Sequence, residues 1–286
     1  MKRIGIMMNA SKPHALQVAK ELMQLLCEKN AFVLLEQDLA SVLGRDDCGI
    51  PLKDFPSRVE IVFVLGGDGT LLGVGRELAG AKLPILGINT GNLGFLSEAE
   101  PDNLGSAVDR VLNNDFCIEE RMMIDAECIR NGEIVHRGTA FNDVGIAKGS
   151  FGRIVNCSVS MDGMFLGSYS GDGIIVSTPT GSTAYSLSCG GPIVWPGFQA
   201  ILLTPICPHT LTSRPMVLPA ESELEVRVSA AHHEMGMTID GQIGFEIHEG
   251  DLIRIRRSQN QTYLVKWRER SFFEVVRKKL HGDEKG

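Results

Sequence analysis

Up to about residue 113 the chain alternates between two hydrophobic periods, and this alternation constrains the fold more than any other feature. Residues 3–8 read as a short strand. In 15–29, Leu16, Ala19, Leu22, Met23, Leu26 and Cys27 fall near helical spacing and predict an amphipathic helix. The unit recurs: strands are expected at 32–35, 62–65 and 84–89, helices at 70–79 and 102–113. Strands alternating with helices predict a parallel sheet with helices on its faces. Ligands of such sheets bind at the carboxyl ends of strands, where glycine clusters stand at 66–69 and 87–94.

Glycine is also in excess, 32 residues in 286, against roughly 20 at the average usage of about 7%. Nine lie between Gly66 and Gly94 and eight between Gly163 and Gly197. A merely loop-rich protein would scatter them.

Beyond about Asn114 the pattern changes to short strands and turns. Strands are expected at 122–130, 134–147, 154–161, 224–229, 237–240, 244–248, 252–256 and 263–267, with Asn131-Gly132 and Asp162-Gly163 as hairpin signals. Residues 271–280 read as a closing helix. The expected architecture is an α/β N-terminal domain with a parallel sheet, 1–114, and a β-rich C-terminal domain, 115–269, with helix 270–286 rejoining the first. Residues 254–280 hold nine Lys or Arg against two Glu. Arg254, Arg256, Lys266 and Arg268 alternate with apolar residues, so they are expected on the solvated face of a hairpin.

Composition excludes several classes. With 43% hydrophobic and 22% charged residues the chain is neither disordered nor fibrous. Its longest apolar runs are far short of the roughly 20 residues of a membrane helix, and no signal-peptide pattern opens it; a cytoplasmic protein without membrane partners is expected. A net charge of −7 argues against a nucleic-acid surface. The seven scattered cysteines suggest neither a disulfide framework nor a zinc site and read as small buried hydrophobes. His232 and His233 are neighbours that point apart on a strand, so no metal site is expected.

Four segments carry chemistry. Gly66-Gly67-Asp68-Gly69-Thr70 follows a strand and opens a helix, a setting in which backbone N–H groups and the helix N-terminus attract phosphate. It lacks the Lys-Ser/Thr of a P-loop, and Leu72 occupies the third glycine's place of a dinucleotide fingerprint. Asp68 would repel that phosphate unless it holds a metal or takes a proton from an attacking hydroxyl; a tight turn with Asp68 as helix cap is the structural alternative. Thr90-Gly91-Asn92-Leu93-Gly94-Phe95-Leu96 is a second loop, either facing ligand or anchored by Phe95. The third segment runs from Gly171 to Gly191. Its five hydroxyls between Ser177 and Thr183, with Tyr185 beside them, suit a neutral hydrogen-bonding wall for a polyhydroxylated or heterocyclic ligand, or a turn capping a helix at 183–187 whose N-terminus faces a pyrophosphate. Asn142-Asp143 is able to bind vicinal sugar hydroxyls, though a turn is the plainer reading.

In order and spacing these four segments, with 203–209 and Asp240-Gly241-Gln242, resemble the NAD kinases along nearly the whole chain. Gly-Gly-Asp-Gly alone is shared with diacylglycerol and sphingosine kinases and with phosphofructokinases; the 171–185 run is far more specific. The resemblance implies an α/β N-terminal domain with a β-rich C-terminal domain, and transfer of a phosphoryl group from ATP, or polyphosphate, to the adenosine 2′-hydroxyl of NAD with a divalent cation such as Mg²⁺. It implies that Asp68 accepts the hydroxyl's proton, and that Gly69, Phe95, Asn142, Asp143, Arg153, Asp172, Thr183, Ala184, Tyr185, Ser186, Leu187, Ser188 and Gln242 contact NAD. Gly66, Gly67, Gly69 and Thr70 would form the phosphate loop. Members are homodimers or homotetramers. Ser170 stands where many bacterial relatives carry a basic residue, and Asp143 replaces the commoner Glu. A lipid kinase using the same loop is the alternative, and a non-catalytic NAD-binding regulator a third reading.

Overall fold

The computed structural model describes residues 1–8, 13–91, 94–149, 154–230 and 235–281. The chain divides into two compact units, one of Met1–Glu120 with Thr262–Gly286, the other of Arg121–Gln261.

The first unit alternates strands and helices: β1 (Arg3–Met8), α1 (Pro13–Glu28), β2 (Phe32–Glu36), α2 (Gln37–Leu43), β3 (Gly49–Ile50), α3 (Phe55–Arg58), β4 (Ile61–Leu65), α4 (Asp68–Glu77), β5 (Pro84–Ile88) and α5 (Leu104–Leu112). The sheet is parallel in the order β3-β2-β1-β4-β5. A central parallel strand is covered on both faces, which is why β4 reads as an unbroken apolar run and all five of its residues are buried. In α1, Val18, Ala19, Leu22 and Leu26 are buried in the same core as Ile4, Ile6 and Phe63, while Gln17, Lys20, Glu21 and Gln24 are exposed. Each fully buried aliphatic side chain contributes about 1.5–3 kcal/mol. The strand order reverses between β1 and β4, whose carboxyl ends are aligned at Met8 and Leu65. That reversal is the point at which open α/β sheets bind ligands, and Gly66 follows immediately.

The second unit is antiparallel. It holds β6 (Cys117–Arg130), β7 (Glu133–Ala140), β8 (Asp143–Lys148), β9 (Val155–Met161), β10 (Met164–Gly171), β11 (Gly173–Ser177), α6 (Tyr185–Ser188), β12 (Ala200–Ile206), β13 (Met216–Pro219), β14 (Leu224–Ser229), β15 (Met235–Ile239), β16 (Ile243–Ile247) and β17 (Leu252–Lys266). One sheet runs β13-β12-β11-β8-β15-β16; in the other, β10-β9-β14-β17 are neighbours and β6 pairs with β7 and β17. Side chains from both sheets, among them Val144, Ile146, Ile174, Val176, Val159, Val226 and Ile253, share one apolar core. The chain closes with α7 (Phe272–His281). The α/β and β-rich architecture is therefore as expected, and no described helix is long and apolar enough to cross a membrane.

Several sequence expectations are corrected. The run 134–147 is two strands, broken at Phe141-Asn142. The expected hairpin at 252–267 is the single strand β17: Ser258-Gln259-Asn260-Gln261 looks like a turn, yet Ser258 and Thr262 are buried. Its basic residues are not merely solvated. Arg254 lies 3.3–3.7 Å from Glu127, Glu223 and Glu225, Arg256 pairs with Glu127 and Glu223, and Lys266 pairs with buried Glu98. The compact units divide at 120/121, within β6, and at 261/262, within β17, a few residues from the 114/115 and 269/270 expected from sequence. Of the seven cysteines only Cys128 and Cys157 are buried, and Cys27 and Cys207 are exposed.

Candidate functional site

In the first unit everything converges on Asp68, which opens α4 directly beyond buried β4. Its side chain does not cap its own helix. The carboxylate instead accepts the N–H of Phe95 on Oδ2 at 2.8 Å and that of Leu96 on Oδ1 at 3.2 Å. Each oxygen takes one main-chain donor and keeps a lone pair, so the group is fixed without being saturated. A Cβ on Gly94 would fall on this carboxylate; only glycine lets the second loop come so close. Phe95 is half-buried, and the Lys279 ammonium lies 4.6 Å from its ring centroid.

Of the expected phosphate loop, the Gly66 N–H donates to the Ile88 carbonyl at 3.0 Å and the Thr70 N–H to the Gly67 carbonyl at 3.0 Å. A Cβ on Gly66 would meet Thr70 Oγ1 at 2.5 Å, so Gly66 is there for packing, whereas nothing lies within 4 Å of one on Gly67. Among the described residues the N–H groups of Gly67 and Asp68 have no partner. Two open amides at the start of a ten-residue helix are an anion-binding arrangement. Gly69 is exposed beside them.

In the second unit the corresponding anchor is Asp240, in the tight turn between β15 and β16. Its carboxylate accepts the N–H groups of Phe141 (3.1 Å), Asn142 (2.6 Å) and Asp143 (3.0 Å). Three consecutive amides on one carboxylate break the strand after β7 and present Asn142-Asp143 at the start of β8. The Asp143 side chain is only 5% exposed and accepts no hydrogen bond among the described residues. Burial, with the Asp240 charge added, pushes its carboxyl up to about 7. The Asn142 carbonyl receives the Thr178 N–H at 2.8 Å, and a Cβ on Gly181 would collide with it. The segment 177–183 is thus fastened onto the Asn142 turn.

That fastening corrects the hydroxyl wall. Thr178 Oγ1 donates to the Phe141 carbonyl at 2.7 Å, Ser182 Oγ to Pro179 at 2.6 Å and Thr183 Oγ1 to Thr180 at 3.3 Å. Ser177, Thr178, Thr180 and Ser182 are buried; the Thr178, Ser182 and Thr183 hydroxyls hold the turn, Thr180 Oγ1 accepts from Arg121 at 3.3 Å, and Ser177 Oγ has no partner among the described residues. The expected helix 183–187 is a 3₁₀ turn, Thr180–Thr183, followed by the one-turn α6, too short for much of a dipole. Ser186 faces inward, its hydroxyl 2.8 Å from Thr204 Oγ1. Thr183, Ala184 and Leu187 are half-buried, and Tyr185 and Ser188 exposed; burial raises the Tyr185 phenol. Asp172 pairs with Lys148 at 3.0 Å, so Lys148 sets a cation two residues along from Ser170. Gln242 is exposed after the Asp240-Gly241 turn. Arg153, and with it 150–153, lies outside the described residues, as do Asn92, Leu93, His232 and His233.

Sequence reasoning missed the anchoring role of Asp240 and the pairing of Lys148. The first was within reach, since Asp240-Gly241 between two apolar strands marks a tight turn; nothing in the spacing marked the second.

An oriented carboxylate beside open helix-start amides on a doubly wound sheet suits phosphoryl transfer, and the β-rich unit presents an amide-carboxylate pair of its own. Comparison with known proteins makes this particular. The family profile of the ATP-NAD kinase N-terminal domain matches residues 4–116 and that of the ATP-NAD kinase C-terminal domain residues 141–267. An NAD kinase of Geobacter metallireducens is 42% identical over 285 residues, covering 100% of both chains. One of Moorella thermoacetica is 43% identical over 280 residues, 98% of this chain and 89% of its own. Yeast NADH kinase complexed with NADH matches with a TM-score of 0.89 at 25% identity, covering 100% of this chain and 89% of its own. An NAD kinase of Archaeoglobus fulgidus in complex with ATP shares the fold, with a TM-score of 0.77 at 23% identity over 98% of this chain and 99% of its own. The chain belongs to the NAD kinase family. The lipid-kinase alternative gains no support from these relatives.

Two stability measurements test this geometry. Folded Asp143 holds its proton up to about 7 against 3.8 ordinarily, so between these values the folded state binds more protons and stability falls as pH rises. Asp143→Asn is expected to be more stable than wild type in urea at pH 8, by roughly 2–4 kcal/mol, with the gap narrowing toward pH 5. Gly94→Ala is expected to lose about 1–3 kcal/mol through steric overlap with Asp68, read as a lower urea midpoint.

Proposed function

We propose that the protein transfers the terminal phosphoryl group of ATP, or of polyphosphate, to the 2′-hydroxyl of the adenosine ribose of NAD, giving NADP. The observation that carries the chemical assignment is the Asp68 carboxylate, held by two main-chain N–H groups beside the open amides of Gly67 and Asp68. A phosphate loop that only bound an anion would have no use for a carboxylate at its head. In this reading Asp68 takes the 2′-hydroxyl proton as the oxygen attacks the terminal phosphorus; the bond from phosphorus to the bridging oxygen breaks, and ADP, or polyphosphate shortened by one unit, leaves. The Gly67 and Asp68 amides, with Gly69 and Thr70 flanking them, face the donor phosphates. Phosphoryl transfer asks the protein chiefly for such positioning and charge stabilisation.

The dinucleotide is assigned to Asn142 and Asp143, whose amide and carboxylate match vicinal ribose hydroxyls, with Asp172, Gln242 and the outer face of 183–188 completing the contacts. The yeast relative is described with NADH and the archaeal one with ATP, which supports both substrates for this chain. Among the described residues no group of three His, Cys, Asp or Glu could hold a metal ion. A Mg²⁺ coordinated mainly by phosphate oxygens and water needs only one or two carboxylates, and the remaining Asp68 lone pairs fit that demand. When bound, the cation would neutralise charge developing on the donor phosphates. A cytoplasmic homodimer or homotetramer is the accompanying expectation.

Asp68→Asn keeps the acceptor for one main-chain N–H and removes the base. Its kcat for NADP formation should fall by about 10²- to 10⁴-fold while NAD affinity, measured calorimetrically, stays within a few fold. Turnover at the wild-type rate would take Asp68 out of this role.

A further inference from the structure

Among the described residues outside those assigned above, buried Glu98 and buried Asp251 each anchor an ion pair, and Glu98 is the one next to the segment that holds Asp68. Glu98, at the end of the second glycine loop, is 1% exposed. Its carboxylate is divided between two partners from the far end of the chain: Oε2 lies 2.8 Å from the Lys266 ammonium, and Oε1 accepts the Trp267 N–H at 3.0 Å. The Lys266 ammonium also donates to the Leu96 carbonyl at 3.4 Å, and Arg270 to the Glu98 carbonyl at 2.7 Å. On the sheet side, the Glu98 and Ala99 amides both donate to the Gly87 carbonyl, at 2.9 and 3.1 Å. Six contacts therefore clamp a segment whose Phe95 and Leu96 amides hold Asp68.

Resting on the assignment of Asp68 as proton acceptor, we propose that Glu98 is a positioning residue for phosphoryl transfer, acting through Lys266 on the Leu96 main chain that orients the Asp68 carboxylate. A buried ion pair is a weak source of net stability, because desolvating both charges offsets most of their attraction. An apolar pair of the same size would serve a purely structural end as well. What a charged, hydrogen-bonded pair adds is direction: Glu98 holds the Lys266 ammonium where it also reaches the Leu96 carbonyl. The Lys279 ammonium over the Phe95 ring ties the other donor residue to α7, so both amides that grip Asp68 are referred to the chain's C-terminal end. Phosphoryl transfer is sensitive to such placement, since a shift of about 1 Å at the reacting groups is able to cost 10²-fold in rate.

The test compares Glu98→Gln, Lys266→Met and the double variant Glu98→Gln/Lys266→Met with wild type, reading kcat, KM for NAD and the thermal midpoint. Each single variant leaves one partner unmatched and is expected to melt lower. In Glu98→Gln, kcat should fall at least tenfold with KM for NAD within about twofold. The double variant, without an unpaired charge, should regain much of the midpoint while its kcat stays low. Recovery of kcat together with the midpoint would make the pair merely structural and overturn the proposal, as would wild-type kcat in Glu98→Gln. If Glu98→Gln does not fold, half-buried Arg270→Ala loosens the same segment: several-fold lower kcat at unchanged KM supports the proposal, and unchanged kcat overturns it. Asp68→Asn is assayed alongside. Full turnover in that variant removes the assignment on which the inference rests, whereas low turnover there with full turnover in Glu98→Gln removes only the role of Glu98.

Discussion

A carboxylate that accepts main-chain N–H groups is the interaction on which both units depend. In the first, Asp68 takes the amides of Phe95 and Leu96 and is thereby turned away from its own helix start. In the second, Asp240 takes three successive amides and forces the break that presents Asn142 and Asp143. Main-chain donors have fewer degrees of freedom than side chains, so a group they hold is placed by the fold itself. Gly94 and Gly181 follow from this: each stands where a Cβ would collide with the held group or with the turn it defines.

The two acidic positions at the candidate sites are in different states of satisfaction. Asp68 is half-exposed, with one donor on each oxygen. Asp143 is buried without a donor and next to a second carboxylate, and its carboxyl is correspondingly pushed up to about 7. A buried acceptor left open in this way is unfavourable for the isolated fold, and perturbed carboxyls of this kind concentrate at functional positions. The proposed ribose hydroxyls are donors of the kind it lacks.

The fold was legible where a local period decides the structure. Most of the strand-helix alternation of the first unit, the loop after β4 and the hairpin signals at 131–132 and 162–163 were read from spacing, whereas the short elements α2, β3 and α3 were not. Lost were the features decided by distant partners. Asp240 meets its three amides across 97–99 residues, and Glu98 meets Lys266 across 168. Sequence left the hydroxyls of 177–183 open between a wall and a turn, and three of them hold a turn, because composition shows that a segment is polar but not which way it faces. The continuity of β17 was lost for the related reason that Ser, Asn and Gln serve equally in a turn and in a buried strand.

Phosphoryl transfer to the adenosine ribose is the central claim, and the position of the new phosphate tests it most directly. Purified protein is incubated with NAD, Mg²⁺ and ATP or polyphosphate, and the product is offered to an NADP-specific dehydrogenase. The account predicts a dinucleotide that this dehydrogenase reduces, formed with at least one of the two donors. Failure of both donors to yield such a product, with labelled phosphate passing to diacylglycerol or to no acceptor, would contradict it.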